Sequence, residues 1–290
     1  MSLSDADLET LVGVARSAGE IVAARFEEHR AGGIQVDHKG PDDPVTAADR
    51  DADALIGTML ATHFPDVLVV SEEGVPRAPA ELAQHQRMFW VDPLDGTMEF
   101  VARRTEFAVM IGVSSEGRAS AGVIVIPMEG LTLAGVVGRG AWFEDGDGRH
   151  PMSVSSCKTF GEARMVVSRS HQPPLVAPLQ RRLGITHITR CGSVGVKVAR
   201  IALAQADLYV HEGFGIKRWD SCAPEAILQA AGGRFSDLDG NAIDYAGGEL
   251  PPGILATNGL LHAGVLSAVE WARREVRRLS PPLTPPKRGG

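Results

Sequence analysis

Residues 90–100 read "WVDPLDGTMEF": Asp92 and Asp95 stand three positions apart around Pro93 and Leu94, with Gly96 and Thr97 behind them and the apolar run 88–91 in front. A lone negative charge is costly to bury beside such a run. A divalent cation shared by both acids would offset that cost. An Asx-type turn that ends a strand would do the same, and the string by itself allows either.

Further acids occupy comparable places. "VSEEG" (70–74) puts Glu72 and Glu73 at the end of an expected strand, and "RWDSCAPEA" (218–226) puts Asp220 at the start of an expected helix. Each alone has an ordinary reading, a solvated loop for Glu72 and Glu73 and an N-cap for Asp220. Strand ends and helix starts are also where side chains converge on one cleft, and a helix N-terminus favours a bound phosphate. Oxygen ligands without histidine or thiolate select Mg²⁺, Mn²⁺ or Ca²⁺ over zinc. Magnesium prefers a few carboxylates plus substrate phosphate, and two ions roughly 3.5–4 Å apart activate water for an in-line displacement. In that setting a bare Gly96 backbone lets amides approach a phosphate, and the Thr97 hydroxyl orients water.

The composition is compatible with such an enzyme. At 290 residues, 44% apolar and 22% charged, the chain can bury a large core in one domain or two joined halves. A net charge of −7 and a pI near 5.7 argue against a nucleic-acid backbone binder, so phosphate chemistry needs local cations. Cys157, Cys191 and Cys222 are odd in number and widely spaced, which suggests neither a disulfide framework nor a zinc site and fits a reducing cytoplasm. With no basic-apolar leader and no run of about 18 apolar residues, the expectation is a soluble cytoplasmic protein with no membrane or nucleic-acid partner.

Periodicity predicts helices over 5–28 and 45–63, then strands over 67–70, 89–91, 107–113, 121–126, 131–137 and 141–143, an antiparallel meander. From Arg164 the pattern alternates: strand "MVVS", helix near 174–184, strand "HITR", helix 194–204, strand "DLYV", helix 221–231. The expected organisation is an N-terminal α+β half (1–150) with most of the acids, a C-terminal α/β half (151–278) and a disordered Pro-rich tail (279–290).

"DPLDGT" superficially looks like the DxDGT signature of haloacid-dehalogenase-type phosphatases, whose first aspartate is a nucleophile. That signature has one residue between its acids. Here Pro93 and Leu94 intervene, and in a strand the extra residue turns the second side chain to the other face. Phosphoaspartate chemistry is rejected on that ground.

The ordered strings "DPVTAAD" (43–49), "SEE" (71–73), "WVDPLDGTMEF" (90–100) and "WDSCAPEAILQAAGG" (219–233) resemble the inositol monophosphatase superfamily of lithium-sensitive, magnesium-dependent phosphatases. "VVSRSH" (166–171), "GSVGVK" (192–197) and "RWDSCAPEA" are similar to its 3'(2'),5'-bisphosphate nucleotidases of the CysQ type. The resemblance implies a layered αβαβα sandwich. It implies removal of the 3'-phosphate of adenosine 3',5'-bisphosphate, a by-product of sulfur metabolism, to give AMP. By the same resemblance Glu72, Asp92, the Leu94 carbonyl, Asp95 and Asp220 ligate two or three Mg²⁺ ions, with Mn²⁺ a substitute. Asp49 and Thr97 orient and deprotonate the attacking water, although Thr46 and Asp49 also suit a helix cap. Gly96, Thr97, His171, Ser193, Lys197 and Asp220 contact the substrate, with Lys197 meeting the second phosphate. Where several relatives carry an arginine after the "LY" strand this chain has His211, mostly uncharged at neutral pH, so affinity for that phosphate is expected to be lower or pH-dependent. The alternatives are an inositol-1-phosphate or fructose-1,6-bisphosphate phosphatase of the same superfamily, and a catalytically silent phospholigand-binding module. The expected partner is a small phosphate ester, and the expected assembly a monomer or homodimer.

Overall fold

Apolar residues at helical spacing bury one face of α1 (Asp5–Gly32) through Leu8, Leu11, Ala15, Ala18, Val22 and Phe26. Its start is fixed by exchange between Ser4 and Asp7: the Asp7 amide donates to the Ser4 hydroxyl (3.1 Å), and the Ser4 amide to the Asp7 carboxylate (3.0 Å). The computed structural model describes residues 3–32, 36–40, 43–170, 173–213, 216–250 and 252–279. The Pro-rich tail beyond Leu279 lies outside them.

After α1 come a small hairpin, β1 (Val36–Gly40) and β2 (Asp43–Thr46), and helix α2 (Ala47–His63). Then follow β3 (Leu68–Ser71), α3 (Pro79–Leu82), β4 (Arg87–Asp95), α4 (Thr97–Val101), β5 (Ala108–Ser115), β6 (Arg118–Ile126), β7 (Leu131–Val136), β8 (Gly140–Asp145) and β9 (Gly148–Met152). These strands form one sheet in chain order, antiparallel from β4 to β9 with β3 parallel to β4. The second sheet is built from β10 (Arg164–Ser168), α5 (Val176–Leu183), β11 (His187–Cys191), α6 (Val194–Ala202), β12 (Leu208–Glu212), α7 (Arg218–Ala230), β13 (Arg234–Asp237), β14 (Gly253–Thr257) and α8 (His262–Leu279). Its strand order is β11-β10-β12-β14-β13.

Helices α1 and α2 cover the outer face of the first sheet, α6 and α7 lie between the sheets, and α5 and α8 cover the far side of the second. The result is the expected αβαβα sandwich. The central apolar layer draws Trp90, Met110 and Tyr209 from the two sheets and Val196, Ala223 and Ile227 from α6 and α7 between them. No element was expected after residue 231. There β13, β14 and α8 appear, and β14 inserts antiparallel between β12 and β13, making the second sheet mixed. The periodicity of α8 is present in Val265, Ala268, Val269 and Ala272, all buried.

Two local features position the acids. Across β5, β6 and β7, Gly112, Gly122 and Gly135 stand opposite one another in register. A Cβ at Gly112 would lie 2.6 Å from the Ala223 amide nitrogen, and one at Gly122 2.5 Å from the Ala223 carbonyl oxygen, so α7 rests directly on sheet backbone. At the end of β4, Asp92 pairs with Met110 but Asp95 pairs with Ala108, so three steps on one strand match two on the other. This β-bulge restores the side-chain parity that the extra residue would have broken, and both aspartates share the face that looks toward the second sheet. The expectation of opposite faces fails here because the strand is not regular. The parity argument against phosphoaspartate chemistry therefore loses its force.

Candidate active site

Asp92 is buried, and its Oδ1 accepts the Leu94 amide at 3.0 Å. The Asx turn and the convergence of acids are thus realised together. β3 runs parallel to β4 with Ser71 opposite Val91, and the Glu72 amide donates to the Val91 carbonyl (3.1 Å), which brings Glu72 beside Asp92. Asp220 occupies the first turn of α7, where it is half-buried and accepts the Lys217 amide at 2.7 Å.

Burial, then the charges of Glu72, Asp95 and Asp220, push the Asp92 carboxyl well above the usual carboxylate range. Asp220 is raised in the same way, by burial and by Glu72 and Asp95. Among the described residues, no group of three or more His, Cys, Asp or Glu side chains is gathered closely enough, as placed, to hold a metal ion. Glu72, Asp92, Asp95 and Asp220 instead act on one another through their charges. Carboxylates that raise one another's proton affinity in this way are the donor set a hard divalent cation satisfies, so the residues present fit magnesium.

Asp49 serves two neighbours. Its Oδ2 accepts the Thr46 amide and hydroxyl, both at 2.7 Å, closing the cap of α2, while its Oδ1 accepts the Thr97 hydroxyl at 3.1 Å. The cap and the pairing with Thr97 coexist on one carboxylate. Burial raises the Asp49 pKa, and the hydrogen bonds from Thr46 and Thr97 hold it back. The Thr97 hydroxyl also lies 3.1 Å from the Leu94 carbonyl, a second acceptor for its single proton. Gly96 between them has φ 104°, and a Cβ there would meet the Glu106 carbonyl at 3.0 Å, so conformation and packing both require glycine.

The residues expected to meet a distant phosphate lie elsewhere than an open surface. Ser193 is buried, and its hydroxyl donates to Asp95 Oδ2 at 2.5 Å. Lys197 is 3% exposed on the inner face of α6, its ammonium 5.0 Å from the centre of the Tyr209 ring. Burial lowers its pKa, opposed first by the charge of Asp95. His171 falls outside the described residues. His211 is half-buried in β12, opposite Ile254.

The sequence reading missed a pair of carboxylates on the segment after Thr97. Buried Glu99 accepts the Ser170 hydroxyl and an Arg104 guanidinium nitrogen, each at 2.8 Å. Glu106 holds Arg169 through Nε (2.9 Å) and Nη2 (2.5 Å) and accepts the Gly192 amide (3.0 Å). These bonds tie "SRSH" and the start of "GSVGVK" to the "DGTMEF" segment. Spacing gave no signal, because the partners are far apart in the chain.

The model of the inositol monophosphatase family matches residues 4–274. The chain belongs to the inositol monophosphatase family. This member is 35% identical over 253 residues to the 3'(2'),5'-bisphosphate nucleotidase CysQ of Salmonella typhimurium, covering 86% of this chain and 99% of that protein. It is 30% identical over 258 residues to human 3'(2'),5'-bisphosphate nucleotidase 1, covering 80% and 83%. Among solved inositol monophosphatase family structures, CysQ from Bacteroides thetaiotaomicron matches at 25% identity with a TM-score of 0.72, over 88% of this chain and 97% of that one.

Proposed function

We propose that this inositol monophosphatase family member is a magnesium-dependent phosphatase that removes the 3'-phosphate of adenosine 3',5'-bisphosphate to give AMP. The observation that carries the chemistry is the convergence of Glu72, Asp92, Asp95 and Asp220 beside the Asp49–Thr97 pair. The substrate class is supported by the likeness to the Salmonella and human nucleotidases.

Glu72, Asp92, the Leu94 carbonyl, Asp95 and Asp220 would hold Mg²⁺, which when bound supplies positive charge for the phosphate oxygens and lowers the pKa of water. The chain's own part lies in orientation and proton transfer. With its proton given to Asp49 Oδ1, the Thr97 oxygen is free to accept a hydrogen bond from water and aim it at phosphorus. Asp49 takes the proton, and its burial-raised pKa makes it a better base than a solvated carboxylate. The Asp49 Oδ2 bonds to Thr46 keep that carboxylate from rotating away.

The test is a substrate panel assayed with Mg²⁺, with and without EDTA and lithium. A kcat/KM for adenosine 3',5'-bisphosphate far above that for inositol 1-phosphate and fructose 1,6-bisphosphate is expected. The reverse ranking would transfer the assignment to a sugar-phosphate phosphatase, and metal-dependent binding without phosphate release would make the chain a silent ligand-binding module.

A further inference from the structure

Asp95 receives three hydrogen bonds from the first turn of α6. Oδ2 takes the Ser193 hydroxyl (2.5 Å) and the Gly195 amide (2.6 Å), and Oδ1 takes the Val194 amide (3.1 Å). A carboxylate has about four acceptor positions, so Oδ2 is saturated and Oδ1 keeps one open. Ser193 is bound on its other side as well, accepting the Val196 amide at 2.9 Å as the N-cap of α6. A single hydroxyl thus joins the end of a first-sheet strand to a helix of the middle layer.

The backbone of Ser193 is held in an unusual place to do so. Its φ is 53° and its ψ 136°, a region that residues with a Cβ rarely occupy and that strains the backbone. A helix cap does not need this: Thr46 caps α2 from an extended φ of −119°. The close fit continues at Gly195, where a Cβ would stand 3.1 Å from Asp95 Oδ2 and 2.5 Å from the Met110 sulfur.

We infer that Ser193 is a positioning residue whose hydroxyl saturates Asp95 Oδ2 and fixes the carboxylate rotation, leaving the open Oδ1 position for the cation. This rests on the proposed metal-dependent function but concerns the metal site alone. It also gives Ser193 a role other than the substrate contact expected from sequence.

The test separates the hydroxyl from the backbone. Ser193→Ala removes the hydroxyl and keeps the strain, whereas Ser193→Gly removes the hydroxyl and relieves it. The two variants should differ in Tm, with glycine the more stable. Mn²⁺ binding to each purified protein, without substrate, is read by electron paramagnetic resonance of the free ion. Both variants are expected to weaken Mn²⁺ binding equally, by about tenfold. Undiminished affinity in both overturns the inference, and so does a loss confined to the variant with the lower Tm, which would make Ser193 purely structural. A wild-type protein that binds Mn²⁺ yet hydrolyses no phosphate ester would sink the proposed function and leave this inference standing.

Discussion

The Asp49 carboxylate divides its two oxygens between a helix cap and a hydroxyl, and that division sets the sharpest expectation at the scale of a residue. Thr97→Ala leaves the Thr46 cap of Asp49 in place but removes the hydroxyl proposed to orient water. Steady-state kinetics should show kcat falling about 100-fold with KM little changed, and Thr97→Ser should recover most of the rate. A KM effect larger than the kcat effect would reassign Thr97 to substrate binding. A second buried acid takes no part in this chemistry. Glu225 on α7 accepts the Tyr245 hydroxyl (2.7 Å) and the Gln229 amide (2.8 Å), and burial raises its pKa from 4.5 to about 7. The folded state then holds a proton that the unfolded state releases, so this group makes the protein less stable as pH rises from 4.5 to 7. The shift corresponds to ~3 kcal/mol. Glu225→Gln, which keeps an oxygen for Tyr245, should flatten that part of the stability profile measured by urea unfolding. An unaltered slope would mean that Glu225 ionises normally.

Among the elements, α7 carries the most consequence because it brings Asp220 to acids that belong to another sheet. Its seat is the glycine row of β5, β6 and β7, and the first-sheet face can accept a helix so closely only where side chains are missing. Gly122→Ala would place a methyl group 2.5 Å from the Ala223 carbonyl oxygen and 2.7 Å from the Ala223 Cα. Neither contact is with a flexible side-chain end, so α7 must lift. A loss of about 1–3 kcal/mol in chemical unfolding is expected, together with weaker Mg²⁺ binding, since Asp220 moves with the helix. If stability fell while metal affinity stayed at the wild-type level, the close seating of α7 on the glycine row would not be what holds Asp220 in reach of the other acids. The bulge of β4 is the matching device on the strand side: it puts Asp92 and Asp95 on one face while Leu94 packs on the other, among the residues beneath α1 and α2.

For the molecule as a whole, the acids form a repulsive seam where the two sheets meet through α6 and α7. Neutralising that seam should stabilise the entire fold. Mg²⁺ at 100 times its Kd contributes about 2.7 kcal/mol, which thermal unfolding at pH 8 should register as a Tm several degrees above that in EDTA. Equal Tm values in the two buffers would exclude a cation among these carboxylates. Among the described residues no helix is long and apolar enough to cross a membrane.

The sequence by itself determined the order of the acids and, from local spacing, the meander of the first sheet; the αβαβα sandwich followed from the family resemblance of ordered strings such as "DPVTAAD" and "WVDPLDGTMEF", in which Thr46 and Asp49 also suited a cap of α2. Tertiary structure alone decided that Asp92 and Asp95 share a face, that Ser193 bonds to Asp95 while Lys197 lies over the Tyr209 ring, and that Glu99 and Glu106 tie Ser170, Arg169 and Gly192 to the site. The physical reason is that a bulge is defined by its partner strand, and a hydrogen bond between residues 60 to 100 positions apart leaves no period in the chain to read.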